Sequence, residues 1–268
     1  MSLFKSLAFG AWVAATVAHG HSHHAQEVQN PLPQPRTSCE HPSYQSHIVS
    51  KSPLVIYLDG FLTLKEAAHL QDITRDTFSR SAVADHVGVQ GQRQTRTSQS
   101  TSVARDDVVR CIEERALSFQ GFDTAQTYLE PLQLVKYGRG ESYHFHTDWF
   151  TSSQTQQASS SLGGNRQSSF FAYVSAENIT GGGTNFPMLS PPRDERWCAF
   201  IDCDEPWENG LSFRPLVGNA VFWSNLLADG TGDQRTLHAG LPVTSGSKIG
   251  MNIWTRQGPL SEEFRGKE

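Results

Sequence analysis

Basic residues are in the minority here: 22 Lys and Arg stand against 27 Asp and Glu, a formal net charge of -5. A surface of that sign repels a phosphate backbone, and no basic stripe, helix-turn-helix pattern or zinc-finger spacing rescues a nucleic-acid partner. Cysteine is sparse as well. Cys39, Cys111, Cys198 and Cys203 include no CxxC pair, which removes the usual motifs for thiol redox catalysis and for a structural zinc site. There is no HExxH, so the helical zinc-hydrolase arrangement with its own glutamate base is missing. The apolar run from about Leu7 to Ala18 is shorter than the roughly 20 residues of a membrane span. No internal repeat is evident. What remains is a 268-residue chain, 37% hydrophobic and 18% charged, with room for one substantial core.

The beginning of the chain follows a secretory pattern over residues 1–20: Lys5, then the apolar run, then the small residues Ala18 and Gly20 ahead of a cleavage point. The expected destination is the endoplasmic reticulum lumen or the outside of the cell. The C-terminal EEFRGKE carries no KDEL-like signal, so residence in the reticulum would need a partner or another anchor. Residues 21–50 read as a flexible polar arm. His19, His21, His23 and His24 can take up stray Cu or Ni there but specify no catalytic geometry. Four cysteines allow three pairings, Cys198 with Cys203 would close a small loop, and buried free thiols are the competing possibility. Asn178, in NIT, is a candidate glycosylation acceptor.

The folded region is expected over 51–258, followed by a polar tail over 259–268. Leu54 to Leu58 is a strand candidate, and Thr63 with Glu66 has capping-box spacing before a helix. A second helix is expected across VARDDVVRCIEERALSF, with Val108, Cys111, Ile112 and Ala116, joined at the edge by Val109, on one apolar face. After Gln133 the pattern changes. LVKY, SSFFAYVSA, WCAFI, GNAVFWSNL and MNIWTR are short, aromatic or β-branched, and divided by turn residues, the signature of an all-β sandwich or barrel. The polar TSSQTQQASSSLGGNR between them is too poor in apolar residues to pack, and reads as disorder or a mobile lid over 151–165.

Chemistry concentrates in YGRGESYHFHTDWF and RTLHAGLPVTSGSK. On a strand, residues two apart share a face, so His146 and Asp148 would aim into the same space. A distant partner, His238, would complete two imidazoles and one carboxylate, the facial triad of a non-haem Fe(II) oxygenase with positions left open. Zinc hydrolysis can use the same ligand types. Lys248 lies ten residues after His238, across a turn permitted by Pro242 and Gly246. A buried lysine is costly without an anion, and a dicarboxylate co-substrate would provide one.

At this point the chain resembles the prolyl 4-hydroxylase family of Fe(II)/2-oxoglutarate dioxygenases, from about Pro53 to Arg256. The likeness rests on motifs in one order: Asp59 to Thr63, RTS at Arg96 to Ser98, Tyr137 to Phe150, Arg166, GGGTNFP from Gly181, GNAVFWSNLLADGTGDQRTLHAG and NIWTR. The resemblance implies a mainly β fold with flanking helices, built on a double-stranded β-helix (jelly-roll, cupin-like) core. It implies Fe(II) held by His146, Asp148 and His238. Lys248 would pair with the distal carboxylate of 2-oxoglutarate, with Tyr137 and Thr184 as further contacts to that co-substrate and Arg166 and Trp254 on the substrate side. O2 would be the second co-substrate and ascorbate a candidate reductant. The expected substrate is a proline-containing peptide; a small organic molecule, hydroxylated, desaturated or epoxidised, is the alternative, and a non-catalytic secreted jelly-roll binding domain is the rival from another class. Glu141, Ser169 and GGGT depart from the family's common glutamine, threonine and GGET. None of these removes a metal ligand.

Overall fold

Phe170, Phe171, Ala172, Tyr173 and Val174 are all buried. Successive strand side chains point to opposite faces, so such a run needs cover on both sides of its sheet. The computed structural model supplies that cover. It describes residues 39, 41–81, 96–121, 124–151 and 157–265; the leader expected over 1–20, the histidine cluster and most of the polar arm lie outside them.

Strands β1 (Gln45–Lys51) and β2 (Leu54–Asp59) precede helix α1 (Leu64–Ile73), the short β3 (Ser79–Arg80), β4 (Gln99–Ser102) and helix α2 (Asp107–Gln120). Then follow β5 (Gln133–Tyr137), β6 (Tyr143–His146), β7 (Arg166–Gly181), β8 (Thr184–Phe186), β9 (Leu211–Phe213), β10 (Ala220–Ser224), β11 (His238–Gly240), β12 (Val243–Arg256) and the short helix α3 (Glu262–Arg265). Among the described residues, eight strands form one antiparallel sheet, ordered β1-β2-β10-β7-β12-β5-β4-β3, and four form a second, ordered β6-β11-β8-β9. This is the expected β-helix core with flanking helices.

The two faces of the larger sheet carry different layers. Leu58, Phe170, Ala172, Phe222, Met251 and Ile253 pack against Leu70, Ile112 and Ala116 of the helices. Val55, Tyr57, Phe171, Tyr173, Val221 and Trp223 pack against Phe186 and Phe213 of the smaller sheet. Each of the Val, Leu, Ile, Phe and Met side chains among them contributes about 1.5–3 kcal/mol of burial, and the strict alternation along β7, β10 and β12 locks their register.

Helix α1 begins where the sequence predicts, and α2 begins four residues inside its expected span. Thr63 Oγ1 accepts from the Glu66 N–H at 3.1 Å, and Glu66 Oε2 accepts from the Thr63 N–H at 2.8 Å. Asp106 caps α2 by accepting from the Val109 N–H at 2.9 Å. Cys111 leaves the side of α2 to join Cys39, and Cys198 joins Cys203, which decides between disulfides and free thiols.

Four expectations need correction. The polar arm does not reach residue 50, because Gln45–Lys51 is a strand paired with β2; an edge strand with one exposed side lacks the apolar run that marks an inner one. Nor is 259–268 wholly a polar tail: Leu260 and Arg265 are buried, the latter in α3. The strand expected at WCAFI is a helical turn over Glu195–Ala199, capped by Asp194 and held by the Cys198–Cys203 loop, and only Ile201 bridges to Phe213. Residues 157–165 form an anchored turn, since Arg256 donates to the carbonyls of Gln157 at 2.8 Å and Gly164 at 2.7 Å; residues 152–156 of that segment lie outside the described residues.

Candidate metal centre

β6 and β11 run antiparallel with His146 directly opposite His238. The two imidazoles therefore leave neighbouring strands on one face, and their ring centroids lie 4.2 Å apart. Asp148 follows just past the end of β6. Its Oδ1 is 3.8 Å from His146 Nε2 and 3.9 Å from His238 Nε2, and one ligand atom from each of the three falls within 4.8 Å of the others.

The histidine tautomers follow from the backbone. His146 Nδ1 lies 2.8 Å from the His144 carbonyl, and His238 Nδ1 lies 2.9 Å from the Thr236 carbonyl. A carbonyl only accepts, so both Nδ1 atoms carry a proton, and it is the Nε2 atoms that face Asp148. Burial and the neighbouring His238 hold His146 well below the usual imidazole range. Burial alone would push Asp148 up, but the two imidazoles, the Arg166 guanidinium and the Ser169 hydroxyl outweigh it and keep the carboxyl ionised. Two imidazoles and one carboxylate, with their donor atoms converging, fit a divalent iron with three protein ligands.

Aromatic rings fix the donors further. Tyr143 stacks on His146 with centroids 3.6 Å apart, and Phe186 and Trp223 flank His238 at 5.5 and 4.8 Å. The triad opens on a cavity of about 610 Å³ whose walls include Tyr137, Thr184, Arg166 and Trp254, four residues singled out by the sequence. Thr184 Oγ1 accepts from the Tyr173 hydroxyl at 2.8 Å, which leaves the Thr184 proton for another acceptor.

Lys248 does not form the wall itself. It is wholly buried, directly opposite Tyr137 in the β12–β5 pairing. Its Nζ donates to the Gly182 carbonyl and lies 4.7 Å from the Tyr137 ring centre and 5.7 Å from that of Phe171, both wall residues. Burial draws its pKa down to about 7, the electrostatic signature of an ammonium lacking a counter-anion.

Arg166 and Trp254 border the cavity but do more than face it. Trp254 Nε1 donates to Asp148 Oδ2 at 2.9 Å. Arg166 lies 3.6 Å from the Trp254 ring centre and donates to both oxygens of Glu130, at 2.7 and 2.9 Å. Glu130 also accepts from Arg256 Nε at 2.6 Å. The sequence reading missed Glu130, Arg256, Tyr143 and Asn225, and took Ser169 only as a departure from a threonine. In the sheet Ser169 stands directly opposite Trp254 on one side and Trp223 on the other, a register that the sequence does not display.

The model of the 2OG-Fe(II) oxygenase superfamily matches residues 132–256. Prolyl 4-hydroxylase 2 of Arabidopsis thaliana is 33% identical over 218 residues, which cover 77% of this chain and 68% of that protein. This chain belongs to the prolyl 4-hydroxylase branch of that superfamily. Prolyl 4-hydroxylase subunit alpha-1 of Rattus norvegicus is 32% identical, over 80% of this chain and 36% of the subunit. Among solved structures, the viral collagen prolyl hydroxylase of Paramecium Bursaria Chlorella virus-1, in its 2OG complex, matches with a TM-score of 0.52 at 22% identity, covering 75% of this chain and 95% of that one; at that identity the likeness speaks for the fold. The oxygenase is an enzyme that uses Fe(II), 2-oxoglutarate and O2, and its triad is the site with the donor set such an iron requires. No helix among the described residues is long and apolar enough to cross a membrane.

Proposed function

We propose that this oxygenase hydroxylates proline residues within a peptide, with conversion of 2-oxoglutarate to succinate and CO2. The observation that carries the reading is the converging His146, Asp148 and His238 set in a chain 33% identical to a prolyl 4-hydroxylase. When bound, iron, 2-oxoglutarate and O2 supply the oxidising chemistry. The chain's own residues orient the partners. Lys248 gives the distal carboxylate of the co-substrate a counter-charge at the buried end of the site, and the Tyr137 and Thr184 hydroxyls offer hydrogen bonds beside it. Arg166 and Trp254 border the face left for the substrate. Arg166 is stiffened by Glu130 and by its stack on the indole, so it presents donors in a fixed plane.

Incubating the iron-loaded enzyme with proline-rich peptides and with a metabolite extract, while following oxygen insertion by mass spectrometry and succinate release, tests the substrate class. Succinate formation coupled to peptide oxidation is the expected result. Turnover confined to metabolites would transfer the assignment to a small-molecule oxygenase with the same centre, and iron and 2-oxoglutarate binding without any turnover would favour a binding domain.

We also place the protein in the secretory route. Two disulfides suit an oxidising compartment, and NIT, the only glycosylation sequon in the sequence, sets Asn178 at an exposed irregularity of β7 with φ 46. Expression with the native leader should yield a chain trimmed near residue 20 whose mass falls on glycosidase treatment. A cytosolic product that still begins at Met1 would refute the assignment.

A further inference from the structure

The two oxygens of Asp148 are treated differently. Oδ1 faces the two histidine nitrogens. Oδ2 accepts two hydrogen bonds, one from Ser169 Oγ at 2.7 Å and one from Trp254 Nε1 at 2.9 Å. The indole N–H can only donate, but a serine hydroxyl has one proton and can turn it toward any acceptor in reach. What fixes that proton is Asn225, whose Nδ2 donates to Ser169 Oγ at 2.9 Å. Having accepted there, Ser169 must direct its own proton elsewhere, and Asp148 Oδ2 receives it.

Asn225 is built for little else. It is wholly buried, and its side-chain oxygen makes no hydrogen bond among the described residues. Burying half of an amide unpaired is costly. The other half is spent on Ser169. Its backbone is held on both sides, N–H to the Gln167 carbonyl at 2.9 Å and C=O from the Asp233 N–H at 2.8 Å, so the side chain leaves a fixed backbone beside Ser169.

We infer that Asn225 is a positioning residue for the metal centre: by holding Ser169 as a donor it keeps Asp148 Oδ2 engaged and offers Oδ1 alone to the ion. The carboxylate then serves as a one-oxygen ligand, and coordination positions stay available for 2-oxoglutarate and O2. This rests on the reading of His146, Asp148 and His238 as the iron site, and it goes beyond that reading by naming what decides how Asp148 binds.

The test uses metal-stripped full-length protein titrated with Co(II), whose visible absorption reports coordination number as well as affinity. Asn225→Leu, close in shape and without the donor, and Ser169→Ala should each weaken Co(II) binding about tenfold and change the visible band intensity. Ser169→Thr, which keeps the hydroxyl, should match the wild type. Because Asn225 acts through Ser169, the double variant Asn225→Leu/Ser169→Ala should bind no more weakly than Ser169→Ala alone. Asn225→Ala, measured alongside in case the leucine does not fold, carries the same expectation. Wild-type affinity and spectrum in a folded Asn225 variant would overturn the inference, as would a double variant whose loss equals the product of the two single losses. His146→Ala should abolish the visible band of the triad site, whatever Co(II) the His19, His21, His23 and His24 cluster retains; a His146→Ala protein with the wild-type band and affinity would overturn the metal reading itself, and this inference with it.

Discussion

Two buried charge clusters lie on opposite faces of the larger sheet, and they are assembled by different rules. On the helix side each carboxylate has one arginine. Arg115 donates to both oxygens of Glu66, at 2.6 and 3.0 Å, and to the Phe61 carbonyl at 2.8 Å, while Arg105 grips Glu113 with contacts of 2.5 to 3.1 Å. The first pair ties α1 and α2 to each other and to the chain just past β2, and the second holds the segment before α2 onto that helix. On the cavity side one carboxylate, Glu130, serves two arginines, Arg166 and Arg256. Burial would raise Glu130, but the two guanidiniums outweigh it and hold the carboxyl well below its usual range. Arg256 is drawn down by burial and by Arg166 beside it. Balanced pairs close a structural joint. An unbalanced trio, stacked on the indole that braces Asp148, keeps positive charge at the wall of a cavity.

That contrast can be attacked directly. The largest effect belongs to the centre itself: Asp148→Ala should cut succinate production more than about 1000-fold and remove the iron-oxoglutarate absorption band under anaerobic titration. A variant that kept the band would mean the carboxylate is not a ligand. Next, Glu130→Gln and Glu66→Gln should part company. Each leaves buried guanidinium charge uncompensated, so each should lower unfolding free energy by about 3–5 kcal/mol in chemical denaturation. Only Glu130→Gln should also lower kcat/KM per folded molecule, by about tenfold; equal kinetic losses from the two would dissolve the distinction drawn above.

Lys248→Ala should raise the 2-oxoglutarate dissociation constant roughly 10- to 100-fold with iron affinity unchanged. The pH dependence has a definite sign. In the ligand-free protein the amine titrates near 7, and an anion needs the ammonium form, so 2-oxoglutarate affinity should fall as pH rises above about 7, by up to tenfold per pH unit. In Lys248→Ala the profile should be flat across that window, and an unchanged slope would assign the proton to another group. The smallest effect is expected outside both clusters: Arg75 and Asp72 meet at 2.6 Å with side chains 72% and 69% exposed, and Arg75→Ala should cost less than about 0.5 kcal/mol in the same denaturation assay.

Legibility of the site tracked how local its causes are. His146 and Asp148 were visible because strand period puts residues two apart on one face, and His238 and Lys248 because they sit in motifs that follow in a fixed order. Glu130 was not, since a lone glutamate before a proline reads as a solvated turn until Arg166 and Arg256, 36 and 126 residues away, close on it. Asn225 escaped for the same reason: its partner Ser169 is 56 residues distant, and only sheet register brings them together. In the fold, inner strands announced themselves by apolar runs; β1, a half-exposed edge strand, carried no such pattern, and WCAFI carried it without being a strand, because the Cys198–Cys203 disulfide shapes that segment as a helical turn.

β12 spans the whole site on a single piece of backbone. Lys248, Asn252, Trp254 and Arg256 occupy alternate positions on it, and Gly250 between them leaves room for the Phe171 ring, which a Cβ there would meet at 2.1 Å. Six residues of strand, about 20 Å of rise, thus separate the buried ammonium from the indole on Asp148. The strand acts as a measuring rod. Its spacing is in whole residues, so the distance from Lys248 to the indole cannot be tuned gradually: removing one residue between Lys248 and Trp254 would turn the indole to the helix side, leaving the lysine in place but the Asp148 carboxylate unbraced.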